Sequence, residues 1–152
     1  MLEDDFRDFI ELLNKHSVAY MVVGGLAVNS YGYSRNTGDM DVWIKNTEAN
    51  AMKMVEVIKD FGFGSMDLSI DDFVSADQVV QLGFPPVRID IMQTLSGVDF
   101  DEAYKMKSIV NDDEVSINFI GINELIANKE VTGRYKDLAD AEALRKILKR
   151  KK

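Results

Sequence analysis

Asp39, Asp41 and Asp90 are the residues of this chain whose types and spacing could do chemistry. The first two open the segment Asp39-Met40-Asp41-Val42-Trp43-Ile44. Side chains alternate along a strand, so both carboxylates project from one face, close enough to hold one hard cation. Asp90 lies inside Val87-Arg88-Ile89-Asp90-Ile91-Met92, a short apolar run of strand character. Acids set against Val42-Trp43-Ile44 would be costly to bury unpaired, and three acids on strands imply a metal site. Upstream, Val22-Val23-Gly24-Gly25 ends a strand on two glycines, thirteen residues before Asp39. Without β-carbons the backbone there can come close to phosphate oxygens. The amides opening a helix at Leu26 would offer a triphosphate both donors and a favourable dipole.

Taken together, these residues resemble the nucleotidyltransferase superfamily that includes DNA polymerase β. Its pattern is a strand, a Gly-Gly or Gly-Ser turn, a helix, Asp-x-Asp on the next strand and a third acid on a later one. The chain is more closely similar to small bacterial nucleotidyltransferase-like proteins and AbiEii-type toxins. The stretch Val22 to Ile44 carries that likeness through Gly32-Tyr33-x-Arg35-x-Thr37-x-Asp39-x-Asp41. A late block carries it again in Leu125-Ile126-Ala127-Asn128-Lys129, Arg134 and Lys136-Asp137-Leu138-Ala139-Asp140.

The resemblance implies an α/β (α+β) fold, a mixed β-sheet with packed helices over residues 1–152, and a magnesium-dependent nucleotidyltransferase. Such an enzyme moves a nucleoside monophosphate from an NTP to a hydroxyl acceptor. That reaction is mostly positioning and charge neutralisation. Two-metal sites hold their ions roughly 3.5 to 4 Å apart, so Asp39 or Asp41 would bridge two Mg2+ while Asp90 completes the nucleophile's site. By the same resemblance Asp39, Asp41 and Asp90 are catalytic, and Asp90 also assists the nucleophile. Gly24, Gly25 and Lys129 bind the nucleotide phosphates. Arg35 contacts substrate or holds its loop, Arg134 is a weaker phosphate contact than Lys129, and Asp137 and Asp140 orient Lys129 or the acceptor. The acceptor stays open between a small molecule, RNA and a protein hydroxyl. A second copy or a partner chain is left open as the completion of its pocket. The rival is a non-catalytic module on the same fold that binds nucleotide or a partner, as an antitoxin or regulator.

Other features have plain readings. Asp4-Asp5, Asp71-Asp72 and Asp112-Asp113 read as solvated loop or helix-cap residues. His16 reads as a surface turn between the first helix and first strand, Trp43 as a packing aromatic despite sharing the alternation of Asp41, and the eight methionines as core filler.

At 152 residues the chain is long enough for one domain with a proper core. With no cysteine, disulfides and thiolate metal sites are excluded and a reducing cytoplasm is the expected location. No run of eighteen apolar residues and no signal-peptide pattern is present, so no membrane association is expected. Arg145 to Lys152 carries six basic residues and no acid. The remainder holds twelve basic and twenty-six acidic residues, a net of −14 against −8 overall. So acidic a body disfavours generic duplex binding. The terminal cations suit the end of a last helix, where the dipole favours them.

The elements that must position these residues follow from periodicity. Helices are expected at Phe6 to Asn14, after Gly25, near Ala49 to Phe61, near Phe100, at Asn123 to Val131 and at Lys136 to Lys149. Strands are expected at Ala19 to Val23, Asp39 to Ile44, near Val79 and Ile89 as a hairpin around Pro85-Pro86, and at Val115 to Ile120.

Overall fold

A computed structural model describes residues 3–33, 38–63, 67–75, 78–84 and 87–150. The chain opens with helix α1 (Asp4–Lys15), strand β1 (Tyr20–Val23), helix α2 (Gly24–Ser30), strand β2 (Asp39–Ile44) and helix α3 (Glu48–Ile58). Helix α4 (Ile70–Val74), strands β3 (Val79–Phe84) and β4 (Val87–Met92) and helix α5 (Phe100–Lys105) follow. Strands β5 (Ser108–Asp112) and β6 (Val115–Phe119) precede helices α6 (Ile122–Thr132) and α7 (Tyr135–Arg150). The six strands form one mixed sheet in the order β3-β4-β2-β1-β6-β5. β1 runs parallel to β6, and β2 parallel to β4, while β1–β2, β3–β4 and β5–β6 are antiparallel.

Helix α1 shows why the sheet has a dry face. Phe6, Phe9, Ile10 and Leu13 recur at helical spacing and are all buried, forming the apolar stripe of an amphipathic helix. Asp4 and Asp5 stand in its first turn and Lys15 in its last, which suits the helix dipole. The Tyr20 hydroxyl donates to Asn14 Oδ1 of α1 at 3.0 Å, so the β1 face that carries Tyr20 and Val22 looks toward α1. Register places Val22 beside Val42, and Val42 beside Ile91, and these three fully buried side chains line that face. Alternation sends Asp39, Asp41 and Trp43 to the other face.

The connection from β2 to α3 is fastened by one buried amide. The Asn50 side chain accepts from the Ala19 N–H at 2.8 Å and donates to the Ala19 carbonyl at 3.0 Å and the Lys45 carbonyl at 2.9 Å. It thereby ties the entrance of β1, the exit of β2 and the first turn of α3, where Thr47 caps the helix.

Several elements differ from expectation. The helix expected to run from Ala49 to Phe61 ends at Ile58 and continues as a π-helical turn, Lys59–Phe63, in which Gly62 has φ 96°. Glycine enters that left-handed region without steric cost. α4 and β5 were not expected. α4 has only five residues, closed by a capping box between Ser69 and Asp72, so Asp72 is a cap residue. β5 is short and mostly exposed, its Ile109 and Val110 included, with little apolar alternation to reveal it. Asp112 is not a solvated loop acid: it ends β5 and pairs with Arg7 of α1 at 3.3 Å. His16 does lie in the turn after α1, bound to Asp60 at 2.7 Å. The antiparallel pairing of β3 and β4 makes the expected hairpin, though Pro85-Pro86 lies outside the described residues. Among the described residues no helix is long and apolar enough to cross a membrane.

Asn50→Ala would leave the Ala19 N–H and the Lys45 carbonyl without the amide and take from the Ala19 carbonyl one of its two donors, the Lys45 N–H remaining at 3.2 Å. We expect a loss of about 2–4 kcal/mol in urea denaturation, and a change below about 0.5 kcal/mol would show that water replaces the amide.

Candidate active site

The register of β2 against β4 builds the site. Asp39 pairs with Arg88, and Asp41 with Asp90, while Val23 of β1 lies on the other side of Asp41. Paired residues share a face, so the three carboxylates occupy two neighbouring strands on one side of the sheet. The structure therefore brings Asp39, Asp41 and Asp90 together.

It also brings Arg88, which was not anticipated. Its Nε donates to Asp90 Oδ1 at 3.0 Å, and one terminal nitrogen donates to Asp90 Oδ2 at 3.0 Å and to Asp39 Oδ2 at 2.7 Å. Hydrogen bonding to Asp90 and the field of the three acids raise Arg88 above its ordinary value. The signal was present in the sequence: Arg88 stands two residues before Asp90 on the same strand, so alternation places both on one face.

Asp41 has a different environment. Burial, then the fields of Asp90 and Asp39, push its carboxyl up from 3.8 to about 6, against the opposing pull of Lys129 and Arg88. It packs on the Gly-Gly turn. A β-carbon at Gly24 would lie 2.1 Å from Asp41 Oδ2, and Gly24 has φ 67°. Glycine is thus required there twice over, by conformation and by the carboxylate pressed against it. Gly25 is buried in the first turn of α2; the left-handed backbone of the turn falls on Gly24.

Lys129, on α6, is buried with its ammonium 3.5 Å from Asp137 and 3.2 Å from Asp140 of α7. Arg134 Nε reaches Asp137 at 2.8 Å from a side chain that is 71% exposed. Burial pushes the Asp137 carboxyl up, but hydrogen bonds from Arg134 and Thr132 and the field of Lys129 outweigh it and hold it at about 2. Asp137 and Asp140 thus fix Lys129 in a place from which its charge is felt at Asp41. Arg35 lies outside the described residues. Trp43, two residues beyond Asp41, is buried edge-on against Phe100 with centroids 5.0 Å apart, a packing aromatic.

Among the described residues no group of three or more acids and histidines is placed to hold a metal ion as the side chains stand. The donor set nevertheless suits a hard divalent cation, being all carboxylate oxygen. Arg88 already stands among the acids as a stand-in cation, bonded to Asp39 and Asp90.

The mixed sheet, the Gly-Gly turn into α2 and the acids on adjacent parallel strands define a nucleotidyltransferase-like fold. A solved structure from Thermotoga maritima, provisionally named a nucleotidyltransferase, superposes with a TM-score of 0.58 at 19% identity, over 95% of this chain and 91% of that one. An antigenic nucleotidyltransferase-like protein from Paracoccidioides brasiliensis gives 0.60 at 13% identity, over 94% of this chain and 77% of that one. No family model and no curated protein matches the chain.

The state of Asp41 sets a pH-dependent stability. Its folded value of about 6 lies above the ordinary 3.8, so its ionisation opposes folding. The cost is absent below about pH 4, grows between about pH 4 and 6 and is complete above that range. Without metal, Asp41→Asn is expected to gain about 1–2 kcal/mol at pH 7, less than the full shift because the site is partly open to water. The gain should vanish at pH 4, and thermal melts in EDTA showing equal gains at both would contradict the assignment.

Gly24→Ala combines a strained φ with a collision against Asp41. We expect a loss of about 2–4 kcal/mol, and one that shrinks to about 1 kcal/mol when Asp41→Ala is also present, because the smaller side chain vacates the space. Strictly additive losses would refute the contact.

Proposed function

We propose that this protein transfers a nucleoside monophosphate from an NTP to a hydroxyl-bearing acceptor. The observation that carries the reading is the placement of Asp39 and Asp41 on β2 in register with Asp90 on β4, beside the Gly24 turn. Asp39, Asp41 and Asp90 would hold divalent magnesium, which when bound supplies neutralisation of the triphosphate and lowers the acceptor's pKa. The acceptor oxygen attacks the α-phosphorus, pyrophosphate departs, and the hydroxyl proton passes to a carboxylate, for which Asp90 is our choice. The backbone at Gly24 and Gly25 would face the phosphates. Lys129, steadied by Asp137 and Asp140, would offset the charge that develops there. Arg134, being largely exposed, is free to meet a phosphate or the acceptor with part of its fork, and Arg35 is proposed as a substrate or loop residue. The stretch Val22 to Ile44 and the block Leu125 to Asp140 support a relation to AbiEii-type toxins, working in the cytoplasm with a small-molecule, RNA or protein acceptor.

The second reading is a non-catalytic nucleotide- or partner-binding module, an antitoxin or regulator. The guanidinium already seated on Asp39 and Asp90 favours it. Incubation with each α-phosphate-labelled NTP, magnesium and cell extract separates the two. For the enzyme, one fraction should take up label, and Asp41→Asn should slow uptake about a hundredfold or more with its far-ultraviolet circular dichroism unchanged. No labelled acceptor, or equal labelling by the variant, would leave the binding module as the better reading.

A further inference from the structure

We infer that Arg88 is an internal cation that occupies Asp39 and Asp90 in place of the divalent metal, and that the metal enters only as the guanidinium leaves for the phosphates of the nucleotide. The inference rests on the metal site proposed above. Both oxygens of Asp90 and one of Asp39 accept from Arg88, at 3.0, 3.0 and 2.7 Å. A dication coordinated by the same two carboxylates would stand at contact distance from the guanidinium, and like charges at that separation repel strongly in a site partly withdrawn from water. The two cations are therefore alternatives. A divalent ion is also the better match for three acids, since the three bonds of the guanidinium go to Asp39 and Asp90 alone.

The geometry gives Arg88 somewhere to go. Its side chain is 29% exposed, so it stands at the mouth of the carboxylate cluster. Its cross-strand neighbour on β3 is Gly83, which has no side chain to confine a swing. The planar fork that grips two carboxylates fits phosphate oxygens equally well. Metal loading and nucleotide binding are thereby coupled: each removes the partner that keeps the other out.

The test uses Mn2+ alone as the probe, followed by electron paramagnetic resonance, on wild type, Arg88→Gln, Arg88→Lys and Asp41→Asn. Arg88→Gln should bind Mn2+ about tenfold more tightly, the scale of a charged hydrogen-bonded contact that no longer has to be broken. Arg88→Lys should fall between wild type and Arg88→Gln, since it keeps the positive charge that repels the metal but cannot bridge both carboxylates. A glutamine variant that binds Mn2+ no more tightly than wild type would overturn the inference. In saturating Ca2+, calorimetry with an α,β-methylene NTP analogue should show weaker binding to Arg88→Gln, opposite in sign to the metal result. A merely structural role would weaken both. Thermal melts give a further readout: Arg88→Gln should melt below wild type in EDTA and gain more from Mn2+. If Asp41→Asn loses Mn2+ while both Arg88 variants bind it no more tightly than wild type, the inference fails and the metal site stands. If neither wild type nor Arg88→Gln binds Mn2+, or if wild type binds it regardless of Asp41→Asn, both fail together.

Discussion

The repulsion among three carboxylates is the constraint from which the rest of the site follows. Parallel pairing of β2 with β4 leaves no freedom in the matter: with Asp39 opposite Arg88 and Asp41 opposite Asp90, the acids share one patch of one face. Like charges gathered there must be offset by something. The chain does so from two directions, with Arg88 from within the sheet and Lys129 from α6. Lys129 is itself buried, and an isolated buried ammonium would be costly, so α7 supplies Asp137 and Asp140. Asp137 in turn is held ionised by Arg134. Charge compensation thus runs outward from the sheet to the surface of the last described helix.

This arrangement explains why a small protein tolerates so unfavourable a cluster. The opposite face of the sheet is dry, lined by Val22, Val42 and Ile91 beneath α1, and burial of apolar surface there is the dominant favourable term. A rigid sheet is also what makes the cluster useful, because strands fix side chains more tightly than loops do. Similarity to solved structures at 13–19% identity speaks to this scaffold. The chemistry has to be argued from the side chains it carries.

Much of the site was legible because its signals are local. Two residues apart on a strand means one face, and that rule alone united Asp39 with Asp41. The same rule unites Arg88 with Asp90 on β4. The late block was legible only by resemblance: nothing in its spacing says that Lys129 is buried, since a lysine on a helix is ordinarily exposed. Gly24 was legible as a glycine that something must approach, but sequence could not say that the approaching group is Asp41's own carboxylate. Among the elements, α4 and β5 escaped because five residues, mostly polar or exposed, carry too little periodicity to read. The end of α3 at Ile58 was likewise hidden, since the chain runs on into Lys59–Phe63 and leaves helical geometry only at Gly62, whose φ is 96°.

The network around Lys129 has a consequence for the order in which the protein becomes complete. All three sheet carboxylates have been synthesised by residue 90, yet the partners of Lys129 come from α7, at positions 137 and 140. Until that helix has emerged and docked, the lysine lacks its two ion-pair partners and α6 has less reason to settle with its ammonium inside. A nascent chain can therefore assemble the sheet while its charge centre remains unbalanced, and the docking of α7 closes the circuit.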